Sequence, residues 1–287
     1  MVLTKAYASS GKIFEQVSMR QAPEMYAQLR AVEPGEIVVV QGTYDHIEKL
    51  LDTIKVPFEL IQPEAVNTHN GGRVMFVNCR AYDAGAPVKG VRQFVEEGGR
   101  LVTTDWALGL VAKAFPKRVN KVKETVDDVV EIQCTTDIAR RFVGMNYAQC
   151  HPQWWLETSS HVFDIGQGVI PLITSSEMEQ KYGKPYVAVG FPEGQGEVFH
   201  FISHLELQRT RLKTKEHKGD LAAFLEKMKV EKTDEMEEAT VAELEAAFST
   251  LNTLANLCVP VPILNTEMKS ISAMTTKKGA GKSVKLA

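Results

Sequence analysis

His204 and Glu206 are the residues whose types and spacing point most directly to chemistry. They stand at the end of "GEVFHFISHLELQ" (196–208), an apolar run typical of a buried strand that stops at His204. Side chains two positions apart on a strand point to the same face of a sheet, so we expect the imidazole and the carboxylate to face one pocket. An imidazole and a carboxylate that face one pocket can serve as acid/base groups.

Three further residues of interest follow other strand-like segments. Cys79 ends one apolar run, and Asp105 with Trp106 ends another, at a sharp change from strand to helix pattern. Ligands of open α/β sheets bind at the carboxyl ends of the strands. We therefore expect Asp105, His204 and Glu206 to line one pocket, with Cys79 and Trp106 at its wall. The structural alternatives are a buried thiol for Cys79 and a helix N-cap for Asp105.

The elements that must position these residues alternate between strand and helix. Continuously apolar strands are predicted at 36–42, 57–62, 73–79 and 100–105, and helices with apolar residues three and four apart are predicted at 43–56, 87–97 and 106–115. Such strands, separated by helices, predict a mostly parallel sheet covered on both faces. The predicted fold class is therefore a doubly wound, flavodoxin-like α/β domain.

The later part of the chain has a less regular pattern. Strands are predicted at 128–134 and 169–176, and "PEGQG" joins two more strands into a hairpin over 185–204. The aromatic-rich segment 150–166 is predicted to be a loop; Cys150 and His151 within it are two adjacent ligands, too few for a metal site.

Changes in composition predict four regions. They are an N-terminal segment (1–30), the α/β domain (31–212), a C-terminal helical appendage (213–265) and a disordered basic tail (266–287). Within the appendage, a helix is predicted over 234–258 with an apolar stripe that includes Leu244 and Phe248. Two interpretations of the stripe remain open: it packs on the chain's own α/β domain, or it binds a protein partner or a second copy of the chain.

Composition excludes several classes of function. The 33 basic and 36 acidic side chains give a net charge of −3, which does not indicate a nucleic-acid binder. The apolar runs are too short for a membrane span, and the N-terminus lacks the apolar core of a secretory signal. The four cysteines form no CxxC pair. We therefore expect a cytoplasmic protein with reduced thiols.

No cofactor is expected from the sequence. The segment "GAGKS" (279–283) has the end of a phosphate-binding loop, but Thr276 stands where that motif requires its first glycine. The chain also ends four residues after the segment, which leaves no room for the helix that must follow.

Over roughly residues 36–210 the chain resembles the class I glutamine amidotransferase-like superfamily, which includes the ThuA-like proteins. The resemblance lies in "FVNCRAYDAGAPVKGVRQFVEEGGRLVTTDWALGLVAKAF", in the hairpin "YVAVGFPEGQGEVFHFISH" and in the His204-x-Glu206 pair. It implies a strand-turn-helix elbow that carries a catalytic cysteine, and a later strand that ends in His-x-Glu. Here the elbow falls at Asp105 or Trp106, neither of which is cysteine.

Two functional hypotheses follow. The first is a non-catalytic amidotransferase-like domain that acts as a binding or assembly module, because glutamine hydrolysis by the superfamily's route needs a thiolate at the elbow. The second is a hydrolase or metal-assisted enzyme in which Asp105, His204 and Glu206 serve as acid/base groups or as ligands of a divalent metal.

Overall fold

An eight-stranded mixed sheet forms the centre of the computed structural model, which describes residues 2–69, 71–81, 87–147, 151–206, 208–260 and 264. The strands in chain order are β1 (Ile37–Val40), β2 (Glu59–Ile61), β3 (Val74–Val77), β4 (Arg100–Thr104), β5 (Val119–Glu124), β6 (Asp128–Glu131), β7 (Gln133–Cys134), β8 (Gln153–Leu156), β9 (His161–Ile165), β10 (Ile170–Thr174), β11 (Tyr186–Glu193) and β12 (Gly196–Phe201). The helices are α1 (Val2–Gln21), α2 (Pro23–Arg30), α3 (Ile47–Thr53), α4 (Val88–Glu96), α5 (Leu108–Ala114), α6 (Asp137–Val143), α7 (Ser176–Tyr182), α8 (Leu221–Met228) and α9 (Val241–Cys258). The central sheet has the order β2-β1-β3-β4-β12-β11-β10-β7.

The first five strands of that order form one parallel block. In its register, Val40 lies opposite Val77, Val77 opposite Thr103, and Thr103 opposite His200. The carboxyl ends of β1, β3, β4 and β12 therefore meet at one edge of the sheet. The prediction that the strands within 36–42, 73–79 and 100–105 lie side by side is confirmed.

The other end of the sheet is antiparallel. Strand β11 leads into β12 through a two-residue turn at Gly194 and Gln195. Gly194 has a φ of +57°, a left-handed conformation that glycine adopts without strain. β10 and β7 then continue antiparallel. The predicted hairpin is confirmed, and the fold class is a mixed α/β fold with a large central sheet.

Helices cover both faces of the parallel block. All four side chains of β1 are buried, although successive side chains of a strand point to opposite faces. Helix α4 packs against α5, β4 and β12, whereas α1, α2 and α3 pack with α9. None of the helices in the described ranges is long and apolar enough to cross a bilayer.

The C-terminal helix α9 lies inside the molecule. It begins at a capping box in which Thr240 and Glu243 bond each other's backbone N–H, and almost all of its side chains are buried. Ser10 of α1 donates a hydrogen bond to the carbonyl oxygen of Leu244 (3.0 Å). These contacts support the interpretation in which the apolar stripe packs on the chain's own α/β domain.

Several predicted elements differ from the structure. The loop predicted at 150–166 is wrong: it contains β8 and β9, which pair antiparallel with β6 and β5. The strand predicted at 128–134 is divided into β6 and β7, which belong to different sheets. The helix predicted over 234–258 consists of a 3₁₀ turn (Asp234–Glu238) followed by α9.

The last strand is also shorter than predicted. β12 ends at Phe201, so His204 and Glu206 lie in the turn that follows it and not on the strand itself. The N-terminal segment forms α1 and α2, for which no element was predicted. The tail predicted to be disordered at 266–287 lies outside the described residues.

Candidate functional site

Three of the predicted site residues meet at the carboxyl edge of the parallel block. Cys79 follows β3, Asp105 follows β4, and His204 follows β12, so the register of these strands brings the three together. One sulfur, oxygen or nitrogen atom from each lies within 4.8 Å of the other two. All three residues are buried, with at most 2% of their surface exposed. We call Cys79, Asp105 and His204 the edge cluster.

Asp105 occupies the sharp turn between β4 and α5. Its φ of +42° lies in the left-handed region, which is uncommon for residues other than glycine and costs backbone energy. Its Oδ1 accepts a hydrogen bond from the backbone N–H of His161 (3.0 Å). The other oxygen, Oδ2, faces the edge cluster. The turn thus presents a carboxylate at the position where a strand-turn-helix elbow presents its reactive group.

His204 lies between two carboxylates. Its Nε2 is 3.4 Å from Asp105 Oδ2, and its Nδ1 is 3.4 Å from Glu157 Oε2. The ring of Trp155 stands edge-on to the imidazole, with 6.0 Å between the ring centroids. Burial alone lowers the pKa of His204, but the Asp105 carboxylate and the Cys79 thiol outweigh it and raise that pKa to about 11.

The thiol of Cys79 is the third member of the cluster. Its Sγ is 3.8 Å from Asp105 Oδ2. Burial raises the pKa of Cys79; the neighbouring His204 acts in the opposite direction, and the Asp105 carboxylate raises the pKa further. The group is therefore a neutral thiol at neutral pH, which makes it a poor nucleophile.

Glu206 is not part of the edge cluster. Its Oε1 forms an ion pair with Lys49 of α3 at 3.1 Å. The backbone N–H groups of Leu205 and Glu206 both donate to the carboxylate of Asp45, which fixes the turn after β12. Because the strand has already ended, the two-residue spacing of His204 and Glu206 no longer places them on one face. Glu157 takes the position beside the imidazole instead.

Trp106 belongs to a stack of rings outside the cluster. Its Nε1 donates to the carbonyl oxygen of Ser159 (2.8 Å), and its ring lies flat on His161 at 5.7 Å between centroids. The guanidinium of Arg80 is 5.4 Å from the centre of the Trp106 ring. His161 is the residue whose backbone N–H bonds Asp105, so Trp106 supports the cluster through that residue.

Close backbone packing holds the edge together from the β1 side. The backbone N–H groups of Tyr44 and Asp45 donate to the Cys79 carbonyl oxygen at 2.7 and 2.8 Å. Gly42 makes this approach feasible, because a Cβ there would lie 2.6 Å from that same oxygen. From α1, the Tyr7 hydroxyl donates to the carbonyl oxygen of Leu205 (2.9 Å).

The sequence interpretation missed Glu157, His161 and Asp45. Glu157 and His161 fall in the segment predicted to be a loop, although "QWWL" immediately before Glu157 is a run of strand-forming aromatic residues. Asp45 lies just after β1, at the same carboxyl edge as Cys79 and Asp105. The rule that placed those residues at the edge also applies to Asp45.

No protein-family model matches the sequence, and no curated protein matches it either. Solved structures with a similar fold include a glutamine amidotransferase from Methylobacillus flagellatus, with 14% identity, a TM-score of 0.46 and coverage of 79% of this chain and 93% of that one. They also include a ThuA-like protein from Bacteroides uniformis, with 12% identity, a TM-score of 0.42 and coverage of 61% and 84%.

A GH42 β-galactosidase from G. stearothermophilus is similar as well, with 10% identity and a TM-score of 0.39 over 59% of this chain. The chain spans only about a quarter of that enzyme, 27% of its length. These identities and TM-scores are too low to assign a function to this chain.

Proposed function

We propose that this chain is a glutamine amidotransferase-like α/β protein that does not hydrolyse glutamine and whose sheet edge serves as a binding site. The observation that carries the proposal is the residue at the elbow. Asp105 stands there with a left-handed backbone, and its carboxylate bonds the His161 N–H and faces His204. A carboxylate in this position cannot form the thioester through which a cysteine divides amide hydrolysis into two easier steps.

Cys79 does not supply the missing thiolate. It follows β3 and not the elbow strand, and burial raises the pKa of its thiol. Asp105 also competes with it for the imidazole, since Nε2 of His204 lies 3.4 Å from the carboxylate. A cysteine is activated when its proton passes to a neutral base, and here the raised pKa of His204 means that the imidazole already carries its proton.

The His-x-Glu element that the superfamily resemblance implies is changed as well. Glu206 pairs with Lys49, and the second carboxylate near His204 is that of Glu157. The superfamily's relay therefore lacks two of its usual members here, because Asp105 stands at the elbow and Glu206 is turned toward Lys49. The buried edge cluster retains hydrogen-bonding and ligand atoms, which favours binding over covalent catalysis.

Ammonia release from glutamine tests the proposal directly. We expect no release above the background of a heat-denatured sample from the purified chain. Wild type, Cys79→Ser and His204→Ala should give the same result. Release that disappears in His204→Ala would overturn the proposal, and its disappearance in Cys79→Ser as well would identify Cys79 as a nucleophile.

A second candidate function is a metal-assisted enzyme. It is favoured by one observation, the convergence of a thiol, a carboxylate and an imidazole within 4.8 Å. Metal-bound water is a nucleophile at neutral pH, so such an enzyme would need no thiolate. Hydrolysis of ester or phosphoester substrates that depends on added metal and is abolished by Asp105→Asn would favour this candidate over the binding module.

A further inference from the structure

We propose that Cys79, Asp105 and His204 bind one divalent transition-metal ion of the zinc type through Cys79 Sγ, Asp105 Oδ2 and a ring nitrogen of His204. The inference rests on the proposed function, because it names the ligand of the same sheet-edge site. Four features of the edge cluster support it: the distances between its atoms, the bonding of His204, the surroundings of each ligand and the set of ligand types.

The N···O distance fits two ligands of one ion better than it fits a hydrogen bond, and the S···O distance fits either a weak S–H···O bond or a shared ion. The N···O distance from His204 to Asp105 is 3.4 Å and the S···O distance from Cys79 to Asp105 is 3.8 Å. A charge-assisted N–H···O bond is much shorter, at about 2.7–2.9 Å. Two ligand atoms of a tetrahedral zinc ion, each at about 2.0–2.3 Å from the metal, lie roughly 3.3–3.8 Å apart.

The bonding of His204 points the same way. Among the residues that the structure describes, neither Nδ1 nor Nε2 has a hydrogen-bond partner of acceptable geometry, and the side chain is only 1% exposed. Buried polar atoms are almost always bonded, because leaving one unsatisfied costs about 1–3 kcal/mol. A metal ion on one ring nitrogen supplies the missing partner.

Surrounding groups orient each ligand as they do in known metal sites. A metal-bound histidine commonly donates its other ring N–H to a carboxylate, and Glu157 Oε2 lies 3.4 Å from His204 Nδ1. With Nε2 on the metal, Glu157 is the carboxylate beside this N–H, and a rotation of the ring would bring the two into a hydrogen bond. The Oδ1 of Asp105 is bonded by the His161 N–H, which leaves Oδ2 for the metal.

The ligand types select the kind of ion. Thiolate and imidazole are ligands of zinc and related transition metals, whereas magnesium and calcium prefer sites made of oxygen ligands. A thiolate and a carboxylate together carry two negative charges, which balance a divalent cation in a buried site. Three protein ligands leave the fourth tetrahedral position for water or a small ligand.

Binding is coupled to proton release. The Cys79 thiol loses its proton as the S–metal bond forms, and the imidazole must also be neutral at the nitrogen that binds. The two protons pass to solvent, and no oxidation or reduction occurs. Affinity should therefore increase with pH over the range in which the protein stays folded.

Metal titration of the full chain tests the inference. After dialysis against EDTA and then metal-free buffer, Co²⁺ is added as a spectroscopic probe and Zn²⁺ as competitor. We expect one equivalent of Co²⁺ to bind, with the near-ultraviolet absorption of a thiolate–cobalt bond, and Zn²⁺ to displace it. Cys79→Ser should remove that absorption, and Asp105→Asn and His204→Gln should each weaken binding at least tenfold.

Matched controls change a cysteine and a carboxylate outside the cluster. Cys134→Ser and Glu206→Gln should leave both the stoichiometry and the absorption unchanged. A second readout does not depend on the cluster variants folding: in sub-denaturing urea, where the buried thiol of the metal-free wild-type chain reacts at a measurable rate, bound Zn²⁺ should protect Cys79 from alkylation, as located by peptide mass spectrometry. Binding that persists in both Cys79→Ser and His204→Gln, or failure of Zn²⁺ to protect Cys79, would overturn the inference.

The ammonia assay, run on metal-free and zinc-loaded protein, separates this inference from the proposed function. Ammonia release in either form would contradict the proposed function whatever the metal result. Failure to bind metal, with no ammonia released, would remove the metal site and leave the proposed function in place.

Discussion

Strands β4 and β12 carry buried charged groups at both of their ends, and the two ends differ in how those groups are bonded. At the amino end, Arg100 and Glu197 form a buried pair with N···O distances of 3.1 and 3.2 Å. Arg100 also donates to the carbonyl oxygens of Leu257 and Val259, and Glu197 accepts from the N–H of Leu264. These hydrogen bonds therefore hold the segment after α9 against the amino end of β4 and β12.

At the carboxyl end, the edge cluster is buried as well, but the contacts between its charged groups are longer than those between Arg100 and Glu197. His204 and Asp105 are 3.4 Å apart, and both imidazole nitrogens lack a well-formed hydrogen bond within the described residues. Asp105 also has a left-handed backbone, a feature that clusters at functional sites. The difference teaches that buried charge in one sheet can serve two purposes. At the amino end the bonding is closed within the chain, and under the proposed function the open bonding of His204 at the carboxyl end is where a ligand binds.

A matched pair of substitutions gives the largest expected effect. Glu197→Gln leaves the buried Arg100 without its counter-ion, and removal of one partner from such a pair costs about 3–5 kcal/mol of unfolding free energy. Asp105→Asn changes a carboxylate to an amide at the other end of the same strands, and asparagine also tolerates the left-handed backbone. We expect it to cost less than Glu197→Gln, because His204 can lose its proton and become neutral, whereas Arg100 keeps its buried charge. Urea unfolding of the two variants measures both values, and equal losses would contradict the comparison.

Helix α9 extends the comparison from buried charge to apolar packing. Leu244 and Phe248 are at most 2% exposed, so replacement of either by alanine should cost about 2–5 kcal/mol. Lys227→Ala on the exposed side of α8 is the control and should change stability by under about 0.5 kcal/mol. Thermal or urea unfolding gives the values. A folded variant with unchanged stability but a changed mass by light scattering would mean that the stripe contacts a second copy instead.

Glu245 of α9 is another buried charged group. Its substitution should have a smaller effect on stability, and one that depends on pH. Burial raises the pKa of its carboxyl to about 7, against the opposing effect of His151. A raised pKa means that the folded state binds this proton more tightly than the unfolded state, so the group makes stability fall as the pH rises from about 4.5 to 7. Glu245→Gln should therefore add about 2–3 kcal/mol at pH 8 and almost nothing at pH 4.

Urea unfolding at the two pH values checks this prediction. Glu226→Gln on the exposed side of α8 is the control and should behave like wild type at both. A Glu245→Gln variant that gains equally at pH 4 and pH 8 would show that the effect comes from packing and not from the buried charge.

The parallel block and three site residues could be predicted because their signals are local. Runs such as "IVVV" and "VMFV" are buried on both faces and β-branched, and the residues after them must lie at the carboxyl edge. That rule places Cys79, Asp105 and His204 at one edge, and His204 was also indicated by its spacing to Glu206. Helix α9 could also be predicted from a local signal, because its apolar residues repeat at helical spacing.

The remaining parts depend on long-range pairing that no local pattern contains. β8 and β9 are strands because β6 and β5 pair with them, across 22 to 46 residues of chain. The partner of His204 could not be predicted either: the spacing of His204 and Glu206 has a fixed meaning only on a strand, and β12 ends at Phe201. Glu157 reaches the imidazole from the position directly after β8, within the segment predicted as loop.

The last comparison concerns which carboxylate lies beside His204, Glu157 or Glu206. Substitution of Glu206 should have the smallest effect on stability of all the variants, and the pair of variants gives the sharpest test of the site. Glu206 pairs with Lys49, whose side chain is 57% exposed, so Glu206→Gln should cost under about 1 kcal/mol of unfolding free energy. In NMR spectra the ring signals of His204 should stay in place in Glu206→Gln and shift in the matched variant Glu157→Gln, because only Glu157 faces Nδ1. If Glu206→Gln shifts those signals more than Glu157→Gln does, then the residue two positions along the chain orients the imidazole after all. The carboxyl edge would then hold a preserved His-x-Glu pair and not the altered arrangement described above.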